Sequence, residues 1–231
     1  MATPVTLPSR CPAQKPSAPK GLCIFDVDGT LTAGEFPAHV NARPPVQACI
    51  DAGWDVGVAT ASSRTWEDVC ELVDGKYQAK GGHGIAGGWM TDAMCANMGK
   101  NHFLTFNSND AMYGGQPIDP KYGSIKSISG TPGGKKALLT GGIVADCFPG
   151  VPVILFDNDP NWGREAMLYT PEQFAKTVTN PPAKGVDNAY CMLGYDKSTG
   201  SCTSTCAGAV NVIDCKQWQD GTAIPAILSK E

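Results

Sequence analysis

Charged side chains are scarce in this sequence, and neither sign dominates. Asp, Glu, Lys and Arg make up 17% of the 231 residues, and the net charge is −4, whereas typical soluble domains carry about 25% charged residues. A chain without a basic excess is a poor match for nucleic acid or an anionic membrane surface, so neither is expected as a partner. Long apolar runs are also missing, since none reaches the roughly 18 residues that a membrane-spanning helix needs.

The first twenty residues have no recognisable export signal. They are rich in proline and contain no apolar stretch of the kind that forms the core of a signal peptide. We interpret residues 1–20 as a flexible arm and expect a soluble protein, cytosolic by default, with secretion left open. The chain is 42% hydrophobic, which is enough for a sizeable core and excludes global disorder.

Cysteine is not scarce, and eight of the ten copies fall into two groups. One group lies in apolar patterns, where thiols pack as small hydrophobic side chains: Cys23, Cys49, Cys70 and Cys95. The other lies in a tail rich in Ser, Thr and Gly: Cys191, Cys202, Cys206 and Cys215. Two disulfides in one of three pairings are predicted for this tail, which would suit an oxidising compartment. Zinc is the alternative, although no CxxC pair and no histidine accompanies these cysteines.

Strand-like runs alternate with helical patterns along the chain. The runs are LCIF (22–25), DVGVAT (55–60), HFLTF (102–106) and VPVILFD (151–157). Three of them are almost continuously apolar, as parallel strands covered on both faces are. Helices are predicted at 43–53, 62–75 and 170–178, with Gly53 ending the first and Thr170 starting a capping box in the third. This alternation predicts an α/β fold with a doubly wound, Rossmann-like parallel sheet.

The chain divides into three parts on composition. Residues 1–20 form the arm, residues 21–180 the α/β core, and residues 181–231 a Cys-rich C-terminal extension that begins at two helix-breaking prolines. Within the core, residues 76–134 have weak periodicity and are predicted to be a small insertion. GHGIAG at 82–87 matches GxGxxG formally, but we interpret it as a glycine-rich loop because a dinucleotide site needs a strand before it and a helix after it.

Two aspartates follow the first apolar strand, one residue apart. Asp26 and Asp28 point to the same face, roughly 7 Å apart along an extended chain, and like charges so placed repel each other. A carboxylate can attack phosphorus and hold the phosphoryl group, and a second carboxyl can act as general acid and then as general base. Gly29 lets the chain turn away after the strand. The alternative is a pair of turn or N-cap aspartates without a catalytic role.

Polar side chains also follow the second and fourth strands. Thr60 and the backbone N–H groups after it, beginning at Ala61, can bind a phosphate at a following helix start. Asp157 and Asn158, together with Asp26, offer the hard oxygen ligands that Mg²⁺ prefers. A divalent cation there would offset the repulsion among the acids. Thr60 could equally be a plain turn residue.

Lys135 and Lys136 lie at the beginning of a further predicted helix. A lysine that reaches the acidic cluster would stabilise the nucleophile and the transferred charge. A lysine exposed on the surface is the alternative.

These four pieces occur in the order DVDGTLT, VGVATASSR, GGKKALL and FDNDPN, and together they resemble the four motifs of the haloacid dehalogenase superfamily. The resemblance covers about residues 20–180. It implies that Asp26 is the nucleophile and that Asp28 is the general acid/base, with its main-chain carbonyl as a metal ligand. It implies that the phosphoryl group is bound by Thr60, Ala61, Gly29 and Thr30.

The resemblance also implies a charge-stabilising lysine and a metal site. Lys135 fits the lysine of the third motif better than Lys136 does, since a leucine follows it four residues later. The implied ligands of magnesium are Asp26, Asp28, Asp157 and Asn158. Asn158 departs from the double-acid form of the fourth motif and is similar to the variant found in carboxyl-terminal-domain phosphatases.

The function implied by this resemblance is a Mg²⁺-dependent phosphomonoester hydrolase that forms an aspartyl-phosphate intermediate. Its partner would be a phosphorylated substrate, either a small molecule or a macromolecule. The stretches between Asp28 and Thr60 and between Thr60 and Lys135 are short for a large cap domain, so we expect a capless enzyme or one with a small insertion. The alternative is a catalytically inactive binding or structural protein on the same fold, with the Cys-rich tail as its working surface.

Overall fold

A computed structural model describes the chain in segments. These are residues 5–6, 19–26, 30–31, 43–60, 103–105, 112–113, 116–117, 133–134, 136–138, 140, 148–176, 178–179, 181–191, 195–196, 201–202 and 211–231. The predicted helix at 62–75, the glycine-rich stretch at 82–87 and the three cysteines Cys70, Cys95 and Cys206 lie outside the described residues.

The described strands are short. They are β1 Val5–Thr6, β2 Leu22–Phe25, β3 Asp55–Thr60, β4 Phe103–Thr105, β5 Met112–Tyr113, β6 Gln116–Pro117, β7 Val153–Asp157, β8 Val178–Thr179, β9 Asn188–Cys191, β10 Tyr195–Asp196, β11 Ser201–Cys202 and β12 Asn211–Val212. The helices are α1 Arg43–Asp51, α2 Pro160–Met167, α3 Pro171–Phe174, α4 Cys215–Gln219 and α5 Ala223–Leu228. Residues 133–134, 136–138 and 140 are also helical and are called the lysine segment here.

The main sheet has six strands in the order β12–β9–β7–β2–β3–β4, and each neighbouring pair is parallel. The four strand-like runs of the sequence all lie in it, as predicted. Strand β2 is central, with Leu22 in register with Asp55 of β3 on one side and with Val153 of β7 on the other. Every residue of β2, β3 and β7 is buried, which explains why their sequences are apolar almost without interruption.

Helices cover both faces of this sheet. On one face Phe25 and Phe156 stack with ring centroids 5.1 Å apart and pack with α1, α4 and α5. On the other face Leu22, Ile24 and Leu155 pack with the lysine segment and α2. The fold is therefore α/β with a parallel sheet, compatible with a Rossmann-like arrangement. In the segments that the structure describes, no helix has both the length and the apolar character needed to cross a membrane.

Helix α1 begins at Arg43 as predicted and ends at Asp51, two residues before the predicted end at Gly53. It buries Val46 and Cys49, and Gly53 adopts φ +79° just after its end, a left-handed conformation that favours glycine. Cys23 and Cys49 are buried free thiols, as predicted.

The predicted capping box of the third helix is wrong. Thr170 is the N-cap of α3, but its hydroxyl makes no capping hydrogen bond. Instead the backbone N–H of Gln173 donates to the carbonyl oxygen of Thr170 at 3.1 Å. Helix α3 ends at Phe174 rather than near residue 178, because Val178–Thr179 forms a strand that pairs with Val5–Thr6.

Residues on both sides of the proposed boundary at residue 180 share the main sheet. Strands β9 and β12 extend it beyond β7, and Trp218 of α4 and Ile224 of α5 belong to the same core cluster as Phe25. The sequence did not indicate that residues after 180 join the main sheet, because β9 and β12 are too short to produce a periodic hydrophobic pattern. Cys191, at the end of β9, is disulfide-bonded.

Candidate active site

Two buried carboxylates meet at the carboxyl edge of the sheet. Asp26 directly follows β2 and Asp157 ends β7, and the two strands are neighbours with Phe25 in register with Phe156. The backbone N–H of Asp26 donates to the carbonyl oxygen of Phe156 at 2.8 Å. Asp26 is 3% exposed and Asp157 is 1% exposed, so neither carboxylate is solvated as an ordinary surface acid is.

This position is also the point where the strand order reverses. The chain runs from β2 to β3 and β4 on one side of the sheet, then returns to β7 and β9 on the other side. In open α/β sheets, ligands bind outside the carboxyl ends of the strands at such a switch point. The topology therefore places both acids where a ligand site is expected.

Lys136 provides the positive charge at this point. Its Nζ lies 2.9 Å from Oδ1 of Asp26 and also donates to Oδ2 of Asp157. The side chain of Lys136 is fully buried, and its backbone carbonyl accepts a 2.7 Å hydrogen bond from the hydroxyl of Thr140 one turn later. The lysine segment thus holds one ammonium group between two carboxylates from different strands.

The electrostatics of the cluster favour the ionised lysine. Burial by itself would lower the pKa of Lys136, but the attraction of Asp157 and then of Asp26 outweighs burial and raises this pKa above its ordinary value. Burial raises the pKa of Asp157, and the ammonium of Lys136 opposes that rise. Among the described residues, the cluster holds one ammonium group and two carboxylates.

Backbone and hydroxyl contacts fix the loop that follows β7. The N–H of Asp159 donates to Oδ1 of Asp157 at 2.8 Å, so the second oxygen of that carboxylate is also oriented. The N–H of Asn158 donates to the hydroxyl of Thr30 at 3.2 Å, which ties the loop after β2 to the loop after β7. The carboxylate of Asp159 caps α2 by accepting from the N–H groups of Asn161 and Trp162.

Two further residues border the cluster. The ring of Trp162 lies over Lys136, with its centroid 4.6 Å from Nζ. Cys191 is in register with Asp157 on the neighbouring strand, and its sulfur lies 3.7 Å from the carbonyl oxygen of Asn158. Neither residue was predicted for the site from the sequence. Trp162 could have been noticed because it follows the FDNDPN motif immediately, whereas nothing in the tail sequence pointed from Cys191 to the site.

Of the predicted site residues, the structure brings together Asp26, Asp157, Thr30 and Asn158. Thr60 is buried at the carboxyl end of β3, next to β2. Four predicted residues lie outside the described residues: Asp28, Gly29, Ala61 and Lys135. The lysine seen at the two carboxylates is Lys136, whereas the sequence analysis favoured Lys135.

Within the described segments, no three His, Cys, Asp or Glu side chains cluster as a metal site would require. The described part of the cluster contributes two acids, Asp26 and Asp157. Their oxygens are hard donors of the kind that Mg²⁺ prefers. These residues therefore fit a magnesium ion that is completed by ligands from elsewhere, including water.

Comparison with protein-family models, with curated proteins and with solved structures gave no match for this chain.

Proposed function

We propose that the protein is a phosphomonoester hydrolase that works through an aspartyl-phosphate on Asp26. The observation that supports this most strongly is the buried cluster of Asp26, Lys136 and Asp157 at the switch point of the sheet. Burying three charges costs free energy that apolar residues in their place would not. Such a cost at a ligand-binding edge is typical of catalytic sites rather than of structural cores.

Asp26 is the nucleophile in this proposal. Its carboxylate attacks the phosphorus of the substrate, the bond to the leaving oxygen breaks, and the phosphoryl group remains on Asp26. Water then attacks the phosphorus and releases phosphate and the free carboxylate. Lys136, held 2.9 Å from Oδ1 of Asp26, orients this carboxylate and stabilises the negative charge on the phosphoryl oxygens.

Proton transfer is assigned to Asp28, as the resemblance of DVDGT to the first motif implies. Asp28 would give a proton to the leaving oxygen and later take one from the attacking water. Thr60, at the end of the neighbouring strand β3, is the proposed phosphate-binding hydroxyl. Thr30 keeps its predicted phosphate-binding role in this scheme. Its hydroxyl accepts from the N–H of Asn158 and so braces the site, while its own proton can still be donated.

Mg²⁺ is the proposed cofactor, held by Asp26 and Asp157 with contributions from Asp28 and Asn158. When bound, it supplies Lewis-acid stabilisation of the phosphoryl oxygens. Lys136 could share the two carboxylates with the cation, because an ionised carboxylate offers about four acceptor lone pairs. The substrate is proposed to be a phosphate monoester of a small molecule or of a macromolecule, since a capless site would exclude neither.

Hydrolysis of p-nitrophenyl phosphate by the full chain tests this proposal. We expect turnover that needs Mg²⁺, stops with EDTA and disappears in Asp26→Asn. The control is Asp51→Asn, because Asp51 is an exposed acid at the end of α1 whose carboxylate accepts from Gln47. Turnover that EDTA leaves unchanged would contradict the metal assignment. Absence of turnover over a broad range of pH and phosphate esters, with normal folding, would favour an inactive binding protein on this fold.

A further inference from the structure

Trp162 contacts the charge cluster from the first turn of α2. Its ring centroid lies 4.6 Å from Nζ of Lys136, and its backbone N–H is 3.4 Å from the capping carboxylate of Asp159. The indole is half-buried, whereas Lys136 beneath it is fully buried. The ring therefore forms part of the wall between the ammonium group and solvent.

The backbone around Trp162 is held on its other side by the lysine segment. A Cβ atom on Gly133 would lie 2.4 Å from the carbonyl oxygen of Trp162, so that glycine allows a close approach of the two backbones. The N–H of Gly133 also donates to Oε2 of Glu165 at 3.3 Å. These contacts fix α2 against the lysine segment, and with it the position of the indole above Lys136.

An aromatic face suits this position for an electrostatic reason. The negative face of the indole attracts an ammonium group, and the attraction is strongest where water is excluded. A third carboxylate would also attract the ammonium, but it would add negative charge to a cluster that already has two carboxylates. An aliphatic side chain of similar volume would exclude water without attracting the ammonium.

We infer that Trp162 is a positioning residue that holds the ammonium group of Lys136 between Asp26 and Asp157. Its effect on catalysis rests on the function proposed above, whereas its effect on the lysine does not. Two substitutions separate attraction from packing: Trp162→Phe keeps an aromatic face, and Trp162→Leu fills space without one.

NMR of the full chain labelled at the lysine ε-carbons tests the contact directly. A proton over an indole face resonates upfield because of the ring current, so the ε-protons of Lys136 are expected upfield of those of the exposed Lys230. Lys136→Met identifies the resonance by its loss. The upfield shift should persist, reduced, in Trp162→Phe and vanish in Trp162→Leu. The inference is overturned if the Lys136 resonance is unshifted in the wild type.

Steady-state kinetics test the consequence for the reaction. We expect Trp162→Leu to lower kcat by about tenfold and Trp162→Phe by about threefold or less, with KM changed little. An equal loss of kcat in both variants would overturn the positioning role, because it would indicate packing alone. The wild-type protein could show the ring-current shift and yet hydrolyse no phosphate ester. That result would support the positioning of Lys136 by Trp162 and contradict the proposed function.

Discussion

Lys136 and Asp26 form a buried ion pair of 2.9 Å although they are 110 positions apart in the sequence. Asp157 shares the same ammonium group. Removing one partner of a buried ion pair leaves an uncompensated charge and typically costs about 3–5 kcal/mol of stability. The cluster therefore links the stability of the fold to the proposed chemistry.

Lys136→Met should reduce both activity and stability. It removes the buried ammonium group that both Asp26 and Asp157 contact, so the free energy of unfolding should fall by about 3 kcal/mol. We expect kcat for p-nitrophenyl phosphate to fall by about 10²-fold or more. Urea denaturation and steady-state kinetics measure the two effects.

Lys135→Met is the matched comparison, since the sequence analysis favoured that residue. We expect it to keep kcat close to the wild-type value. If Lys135→Met loses activity and Lys136→Met keeps it, the charge-stabilising role belongs to Lys135 and the buried pair is purely structural.

Substitution of each aspartate in DVD should impair a different step of the reaction. Asp26→Asn removes the nucleophile, so neither hydrolysis nor a trapped phosphoenzyme is expected. Asp28→Asn leaves the nucleophile but removes the proton donor and base, a loss that typically costs about 10²–10⁴-fold. Because p-nitrophenolate leaves without much protonation, Asp28→Asn should accumulate the aspartyl-phosphate, detectable by acid quench and intact-mass analysis. Equal residual rates with no phosphoenzyme in either variant would refute these roles.

Ionisation of Tyr169 should lower the free energy of unfolding at alkaline pH. Burial, with a smaller effect of Glu172, raises the pKa of Tyr169 to about 12, above the ordinary value of 10.0. The folded state therefore holds this proton at pH values where the unfolded chain has lost it, and stability falls as pH rises between those two values. Urea midpoints measured along this range should decline.

Tyr169→Phe is the control for that titration. It lacks the ionisable hydroxyl, so the part of the alkaline decline that Tyr169 causes should disappear. At neutral pH it loses the hydrogen bond that the hydroxyl donates to the carbonyl oxygen of Pro182 at 3.3 Å, at a cost of about 1 kcal/mol. Identical pH dependence of the two proteins would show that Tyr169 does not titrate as expected.

Reduction of the disulfide at Cys191 should destabilise the fold. Cross-links of this kind typically contribute about 2–4 kcal/mol, so dithiothreitol should lower the urea midpoint. Cys191→Ser should have the same effect and should not respond to reductant in the same way. Mass spectrometry of alkylated peptides verifies that Cys191 is reduced. A urea midpoint that stays unchanged after this reduction would contradict the predicted stabilisation.

The free thiols provide an internal reference for that experiment. Burial, together with a hydrogen bond to Cys49, raises the pKa of Cys23 well above its ordinary value, and both thiols are fully buried. We expect neither to react with a thiol reagent in the native protein and both to react after denaturation. Rapid labelling of Cys23 in the native state would contradict this expectation.

The strands that form the site could be predicted because a strand buried on both faces is a nearly continuous apolar run in the sequence. LCIF, DVGVAT and VILFD are apolar almost throughout. The acids directly after the first and at the end of the last stand out against them. The carboxyl ends of parallel strands share one edge, so the closeness of Asp26 and Asp157 followed from their positions in the chain. Whether these acids catalyse a reaction does not follow from the pattern.

The choice between Lys135 and Lys136 could not be made from sequence. Adjacent residues on a helix point about 100° apart, and their orientation depends on how the helix is rotated against the sheet. Ala137 and Leu138 pack on the sheet, and these tertiary contacts determine that rotation. For the same reason the proximity of Trp162 to Lys136 could not be predicted, since it depends on the packing of two segments distant in sequence.

The central position of β2 affects the order in which the protein can fold. During synthesis, Leu22–Phe25 can pair with β3 as soon as residues 55–60 emerge, but its other edge stays open until Val153–Asp157 is made. An unpaired, apolar strand edge is prone to pairing with other chains. Pairing across such a separation is also slow, because a large loop must close first. A polypeptide stalled before residue 153 would therefore expose the strand that precedes Asp26, and we expect truncated chains of that length to aggregate rather than to form half a sheet.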